Sequence, residues 1–141
     1  MLIPNGNVLI VDDDDTLRRL LTEYLKNHTY VNVDEARDGV EALHRLSQRH
    51  YSVIVLDLVM PKMSGTDVID SMKAQMTDQS PGDPDRAPAI IVITAAADAE
   101  IPTGTLVQRF KLVRAVFRKP LDIVALGDSV AHFLREGGAH A

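Results

Sequence analysis

The sequence contains no cysteine and no tryptophan, and three tyrosines and three phenylalanines are its only aromatic residues. The absence of cysteine excludes disulfides, thiol catalysis and cysteine-ligated metals, and it suits a reducing compartment. No apolar run approaches the length of a membrane span, and the start MLIPNGN lacks the charged and apolar segments of a secretory signal. We therefore expect a cytoplasmic protein that does not bind membranes.

Positive charge is also scarce, since 15 Lys and Arg residues stand against 20 Asp and Glu residues, giving a net charge of −5. Without a basic stripe to neutralise phosphates, nucleic acid is not an expected partner. The 141 residues, with 45% hydrophobic and 25% charged residues, are typical of a globular domain with its own core. We expect one domain over residues 1–141, with a core over about 7–135 and a short flexible C-terminal tail.

Short apolar runs alternate with helical patterns along the chain. Strands are predicted at Val8–Val11, Tyr30–Glu35, Val53–Leu56, Ala89–Ile93 and Ala115–Arg118. Helices are predicted through Leu17 to Leu25, from Gly39 to about Arg49, from about Thr66 to Gln75, from near Thr105, and from about Asp122 to Arg135. The proline-rich stretch 76–88 is predicted to be an exposed loop. This order indicates an α/β fold, a flavodoxin-like (βα)5 doubly wound parallel sheet with strand order 2-1-3-4-5.

Polar residues follow four of the predicted strands directly. Asp12 and Asp13, Asp57, Thr94 and Lys119 come just after separate apolar runs, so all should meet at one edge of the sheet. Two carboxylates about 5 Å apart repel by about 3 kcal/mol at an effective dielectric of about 20, so three of them require a cation. Open, oxygen-rich sites of this kind suit Mg²⁺. Carboxylate, cation, ammonium and hydroxyl groups together favour phosphoryl transfer, with an aspartate as nucleophile.

The segments VLIVDDDDTLRRLL, VIVLDLVMPKMSG, IIVITA and FRKP, in this order, resemble the receiver domain of two-component response regulators. The resemblance covers about residues 7–135. It implies a phosphoacceptor signalling domain rather than a turnover enzyme, dependent on Mg²⁺ or alternatively Mn²⁺. It further implies a histidine kinase or histidine phosphotransferase as phosphodonor and a downstream target protein as output partner. With no output domain in the sequence, a stand-alone single-domain response regulator is expected.

The resemblance also implies a role for each residue of the cluster. Asp57 is the phosphorylated residue, Thr94 the switch hydroxyl and Lys119 the phosphate-contacting lysine. The implied metal ligands are Asp12, Asp13, Asp57 and the backbone carbonyl of Val59. The Lys119-Pro120 peptide bond is expected to be cis, as cis bonds are nearly confined to proline.

Two features depart from the family pattern. The family places an aromatic residue where this chain has Val116, and the adjacent Phe117 should point to the other face of the sheet. The family positions that help to orient hydrolytic water hold Val59 and Ala96, whose side chains cannot form hydrogen bonds. We therefore expect slow loss of a phosphoryl group from Asp57.

Two other interpretations remain open at this point. Asp12-x-Asp14-x-Thr16 after an apolar strand also resembles the nucleophile motif of haloacid-dehalogenase-type phosphatases, and Gly127-Asp128 loosely resembles their metal motif. That interpretation leaves Asp57 and its MPKMSG loop unexplained. The second alternative is a receiver-like interaction module that is not phosphorylated.

Overall fold

The computed structural model describes residues 6–60, 62–79, 87–95 and 111–138, with backbone alone for 75–79 and 137–138. Its elements, in chain order, are β1 Asn7–Val11, α1 Asp15–His28, β2 Asn32–Ala36, α2 Gly39–Gln48, β3 Val53–Asp57, α3 Gly65–Gln79, β4 Ala89–Thr94, β5 Val113–Arg118 and α4 Ile123–Gly138. None of the described helices is long and apolar enough to cross a membrane.

The five strands form one parallel sheet in the order β2-β1-β3-β4-β5, which confirms the predicted topology. The helices cover both faces, so the central strands β1, β3 and β4 are apolar except at their ends, at Asn7, Asp57 and Thr94. Side chains of β1 alternate between the two layers: Leu9 and Val11 pack towards α2 and α3, and Val8 and Ile10 towards α1 and α4. The continuous apolar runs of the sequence are therefore explained by burial on two sides.

Several predicted boundaries were wrong by a few residues. The predicted strand Tyr30–Glu35 is observed at Asn32–Ala36, because β1 begins at Asn7, which pairs with Asn32 and leaves earlier residues without a partner strand. The last strand begins earlier than predicted, at Val113, where it pairs with Ile90.

Helix α3 continues to Gln79, so its last four residues occupy the start of the predicted loop 76–88. Pro81 disfavours helical backbone at the residue before it, which favours an end of the helix at this point. Similarly, α4 extends beyond Arg135 through two glycines to Gly138. The helix predicted near Thr105 and most of the remaining loop lie outside the described residues.

The first and last helices pack closely together. A Cβ atom added to Gly127 would lie 2.2 Å from Cε1 of Tyr24, so only glycine allows α4 to approach the tyrosine ring. The Tyr24 hydroxyl donates a hydrogen bond to Asp128 Oδ1 at 3.0 Å. Gly6, just before β1, lies beside Leu134 of α4, whose Cδ2 is 3.1 Å from the position a Cβ would take.

Candidate functional site

Three aspartates meet at the edge where β1 and β3 end. Asp12 is fully buried and Asp57 is 2% exposed, while Asp13 is exposed to solvent. One carboxylate oxygen from each residue lies within 4.8 Å of the other two. The adjacent parallel pairing of β1 and β3 produces this arrangement, because it brings the ends of the two strands side by side.

The backbone and one carboxylate oxygen of Asp12 are held tightly. Its N–H donates to the Ala36 carbonyl at 3.1 Å, and its Oδ1 accepts from the Asp14 N–H at 2.8 Å. The other oxygen, Oδ2, lies 3.2 Å from Lys119 Nζ but accepts no hydrogen bond from any described residue. A buried carboxylate oxygen with unused acceptor capacity is thus directed into the cluster.

Asp57 uses both of its carboxylate oxygens. Oδ1 accepts from the Val59 N–H at 3.0 Å, and Oδ2 accepts from Lys119 Nζ at 3.3 Å. The loop that follows returns so closely that a Cβ on Gly65 would lie 2.6 Å from the Asp57 carbonyl oxygen. Gly65 is therefore required by space, and the Gly65 N–H donates to the Leu58 carbonyl at 3.0 Å.

Lys119 lies between the two buried carboxylates. Its backbone N–H donates to the Thr94 carbonyl at 2.9 Å, which anchors the end of β5 to the end of β4. The Lys119-Pro120 peptide bond is cis. Burial alone would lower the pKa of Lys119, but the negative charges of Asp57 and Asp12 outweigh it and raise the pKa above its ordinary value. Lys119 therefore stays charged at neutral pH.

The pocket opposes ionisation of the Asp12 carboxyl. The pKa of Asp12 is raised from 3.8 to about 6, chiefly by burial and also by the negative charge of Asp57. The hydrogen bond from the Asp14 N–H and the positive charge of Lys119 lower this pKa but do not outweigh the burial. One ammonium group does not balance three carboxylates. Oδ2 of Asp12 is buried and has spare acceptor capacity beside its ion pair with Lys119. This oxygen and the close carboxylate oxygens therefore fit a small divalent cation that prefers oxygen ligands.

Both the sequence and the fold of this chain are similar to those of known proteins. The sequence matches the response regulator receiver domain family over residues 8–129. The chain belongs to this family. The receiver domain is 42% identical over 69 residues to the sensor protein EvgS of Escherichia coli K12, and 38% identical over 69 residues to the transcriptional regulatory protein SrrA of Staphylococcus aureus. Each match covers 49% of this chain, but only 6% of EvgS and 28% of SrrA.

A solved structure extends the likeness to nearly the whole chain. It is the signal receiver domain of a protein from Vibrio parahaemolyticus, with a TM-score of 0.77 and 25% identity. The match covers 97% of this chain and 95% of that one. The acidic pocket of Asp12, Asp13 and Asp57 fits the phosphoacceptor site of a receiver domain.

Thr94 and Val116, which the family resemblance relates to switching, lie on the neighbouring strands β4 and β5. Thr94 is 5% exposed and ends β4, one residue beyond Ile93, which pairs with Asp57 of β3. Val116 packs towards α2 and α3, whereas Phe117 packs towards α1 and α4, so the predicted alternation is observed. No described aromatic side chain therefore takes the place of Val116 on its face of β5.

The phosphatase motif has a different use in the receiver domain. Asp14 is the N-cap of α1, and its Oδ1 accepts from the backbone N–H groups of Thr16 and Leu17. Asp128 bonds Tyr24 in the contact between α1 and α4. Neither residue belongs to the metal-compatible cluster.

Sequence reasoning missed Arg18. This arginine is only 6% exposed, and its Nη1 donates to the Asp12 carbonyl at 2.5 Å. The sequence does indicate that Arg18 is buried, because Arg18 lies on the same face of α1 as the buried residues Leu17 and Leu21. An arginine on such a face requires buried partners.

Proposed function

We propose that this receiver domain accepts a phosphoryl group on Asp57 from a phosphohistidine of a histidine kinase or histidine phosphotransferase. The observation that supports this most directly is the position of Lys119 Nζ, 3.3 Å from Asp57 and 3.2 Å from Asp12 within a cluster of three carboxylates. Phosphoryl transfer requires positive charge beside the phosphoryl oxygens and a carboxylate positioned to attack, and the cluster places Lys119 and Asp57 side by side.

In the proposed reaction a carboxylate oxygen of Asp57 attacks the phosphorus atom. The new O–P bond forms as the P–N bond of the phosphohistidine breaks, and the imidazole leaves with the electron pair and is protonated by solvent. Lys119 offsets charge on the phosphoryl oxygens, and the Thr94 hydroxyl serves as their hydrogen-bond donor. Each of these groups extends from the end of a different strand, so the sheet positions them before the donor arrives.

The proposed metal is Mg²⁺, for which Mn²⁺ can substitute. Asp12, Asp13, Asp57 and the carbonyl of Val59 would hold it. Bound there, it supplies the positive charge that the carboxylates and the incoming phosphoryl oxygens lack. The unused acceptor capacity of Asp12 Oδ2 supports this assignment.

We further propose that the receiver is cytoplasmic and that its phosphorylation alters its affinity for a downstream target protein. With valine at position 116, coupling between Thr94 and a swinging aromatic residue is not available at that position. The output is therefore expected to arise from the loops and strand ends around Asp57 and Thr94.

Incubation with Mg²⁺ and acetyl phosphate, followed by intact-mass measurement, tests the proposal. The expected result is addition of one phosphoryl group to the wild type, and none to Asp57→Asn or to wild type in EDTA. An unmodified wild type would support the non-phosphorylated interaction module. Modification that persists in Asp57→Asn but is lost in Asp12→Asn, with turnover of a generic phosphate ester, would support the phosphatase.

A further inference from the structure

Arg18 connects α1 to the strand that supplies two of the three clustered aspartates. Its guanidinium contacts Asp15, bonds Glu35 at 3.1 Å through Nε, and donates to the Asp12 carbonyl through Nη1 at 2.5 Å. Only 8% of its side chain is exposed, against 39% for that of Glu35. Nothing in the proposed phosphoryl transfer uses this residue.

The contact with Asp12 completes a clamp on the end of β1. The Asp12 N–H is bonded to the Ala36 carbonyl at 3.1 Å, and the Asp12 carbonyl is bonded to Arg18. The peptide unit between Asp12 and Asp13 is thereby held from the α1 side, and this unit sets the directions of both carboxylates. A fork of nitrogen donors can make three such contacts at once, whereas a lysine ammonium is a single point.

We propose that Arg18 is a positioning residue for the metal site, holding the Asp12–Asp13 segment so that both carboxylates reach the cation. This inference rests on the proposed function, because it concerns the same cation. Its effect can be separated from that of charge alone. A cation near an acidic pocket repels Mg²⁺, so loss of the charge alone would tighten Mg²⁺ binding, whereas loss of positioning weakens it.

The test measures Mg²⁺ binding by isothermal titration calorimetry, with Arg19→Gln as the matched control. Arg19 is the exposed neighbour of Arg18, and its substitution makes the same change in charge. We expect Arg18→Gln to raise the dissociation constant about tenfold or more, the range found when groups that orient metal ligands are removed. Arg19→Gln should change it less than about twofold, as for an exposed charge.

Two further measurements distinguish positioning from charge and from general destabilisation. Arg18→Lys keeps the charge but not the forked contacts, so it should weaken binding as Arg18→Gln does. With acetyl phosphate as donor, Arg18→Gln should raise the Mg²⁺ concentration that gives half-maximal phosphorylation, while the rate at saturating Mg²⁺ stays near that of the wild type. If Arg18→Gln loses its helical circular dichroism, Glu35→Ala decides, since it removes the oxygen that accepts from Arg18 Nε and should also weaken binding.

Wild-type affinity in folded Arg18→Gln, or tighter binding, would overturn the inference, as would wild-type affinity in Arg18→Lys. Where Arg18→Gln does not fold, unchanged Mg²⁺ binding by Glu35→Ala would overturn it. If the wild type itself binds no Mg²⁺, the proposed function fails instead, so the two failures are distinguishable.

Discussion

Replacing Asp12 by asparagine removes one charge from the pocket with almost no change in shape. The buried carboxyl has its pKa raised from 3.8 to about 6, chiefly by burial. This difference corresponds to ~3 kcal/mol by which ionised Asp12 destabilises the metal-free folded state. Because the folded-state pKa is the higher one, this destabilisation is complete above the folded pKa and disappears as the pH falls towards 3.8.

Asp12→Asn should therefore stabilise the metal-free protein at a pH above the folded pKa. The raised pKa already includes the attraction of Lys119. In asparagine, however, the oxygen that accepts from the Asp14 N–H leaves the NH2 group facing the Lys119 ammonium, so we expect a net gain of about 2 kcal/mol rather than the full amount. At about pH 4.5 the wild-type carboxyl is largely protonated, and the gain should fall below about 1 kcal/mol. Urea denaturation in EDTA, followed by circular dichroism at about pH 8 and about pH 4.5, measures both values.

Added Mg²⁺ should reverse the order of stability. At a free concentration one hundred times its dissociation constant, a ligand stabilises the folded wild type by about 2.7 kcal/mol, whereas Asp12→Asn should gain little. Asp14→Asn is the control, since it removes an exposed negative charge from the same run while asparagine still caps α1. The reasoning is refuted if Asp12→Asn is less stable than wild type at the higher pH, or if its gain does not depend on pH.

Three other predictions follow from single contacts. Gly65→Ala should destabilise the fold by about 2 kcal/mol or more and weaken Mg²⁺ binding, because its Cβ would lie 2.6 Å from the Asp57 carbonyl oxygen; an unchanged urea midpoint would contradict this. Tyr51→Phe should cost about 1.5–3 kcal/mol in urea unfolding, because the buried hydroxyl donates to Asp34 at 2.6 Å; a loss below about 0.5 kcal/mol would count against that bond. Phosphorylated wild type should keep its phosphoryl group well beyond seconds in a mass-spectrometric time course, and Val59→Asn should shorten its lifetime by supplying a hydrogen-bonding group; loss within seconds in the wild type would show the expectation to be wrong.

The strand order and the acidic cluster could be predicted because both depend on patterns that are local in sequence. β1, β3 and β4 are continuous apolar runs, and parallel strands place their following residues at one edge. The opposite directions of Val116 and Phe117 followed from simple alternation. These features need no knowledge of distances.

The errors arose where a distant partner decides the outcome. The start of β2 is set by Asn7 on the neighbouring strand, which no pattern within residues 30–36 reveals. Arg18 was missed because a helical arginine is usually a surface residue, and its contact with Glu35 of β2 joins segments that are distant in sequence. The raised pKa of Asp12 depends on depth and on Asp57, so it required coordinates.

The closeness of Gly6 to Leu134 has a consequence for how a signal leaves the molecule. Gly6, where the described chain begins, lies beside the last helix at the edge where the strands start, whereas Asp57 lies where they finish. Five-residue strands separate the two edges by about 17 Å. A change at Asp57 therefore has to be transmitted along the length of the sheet to reach the contact between Gly6 and Leu134, while a protein docking at the edge that carries Asp57 would sense it directly.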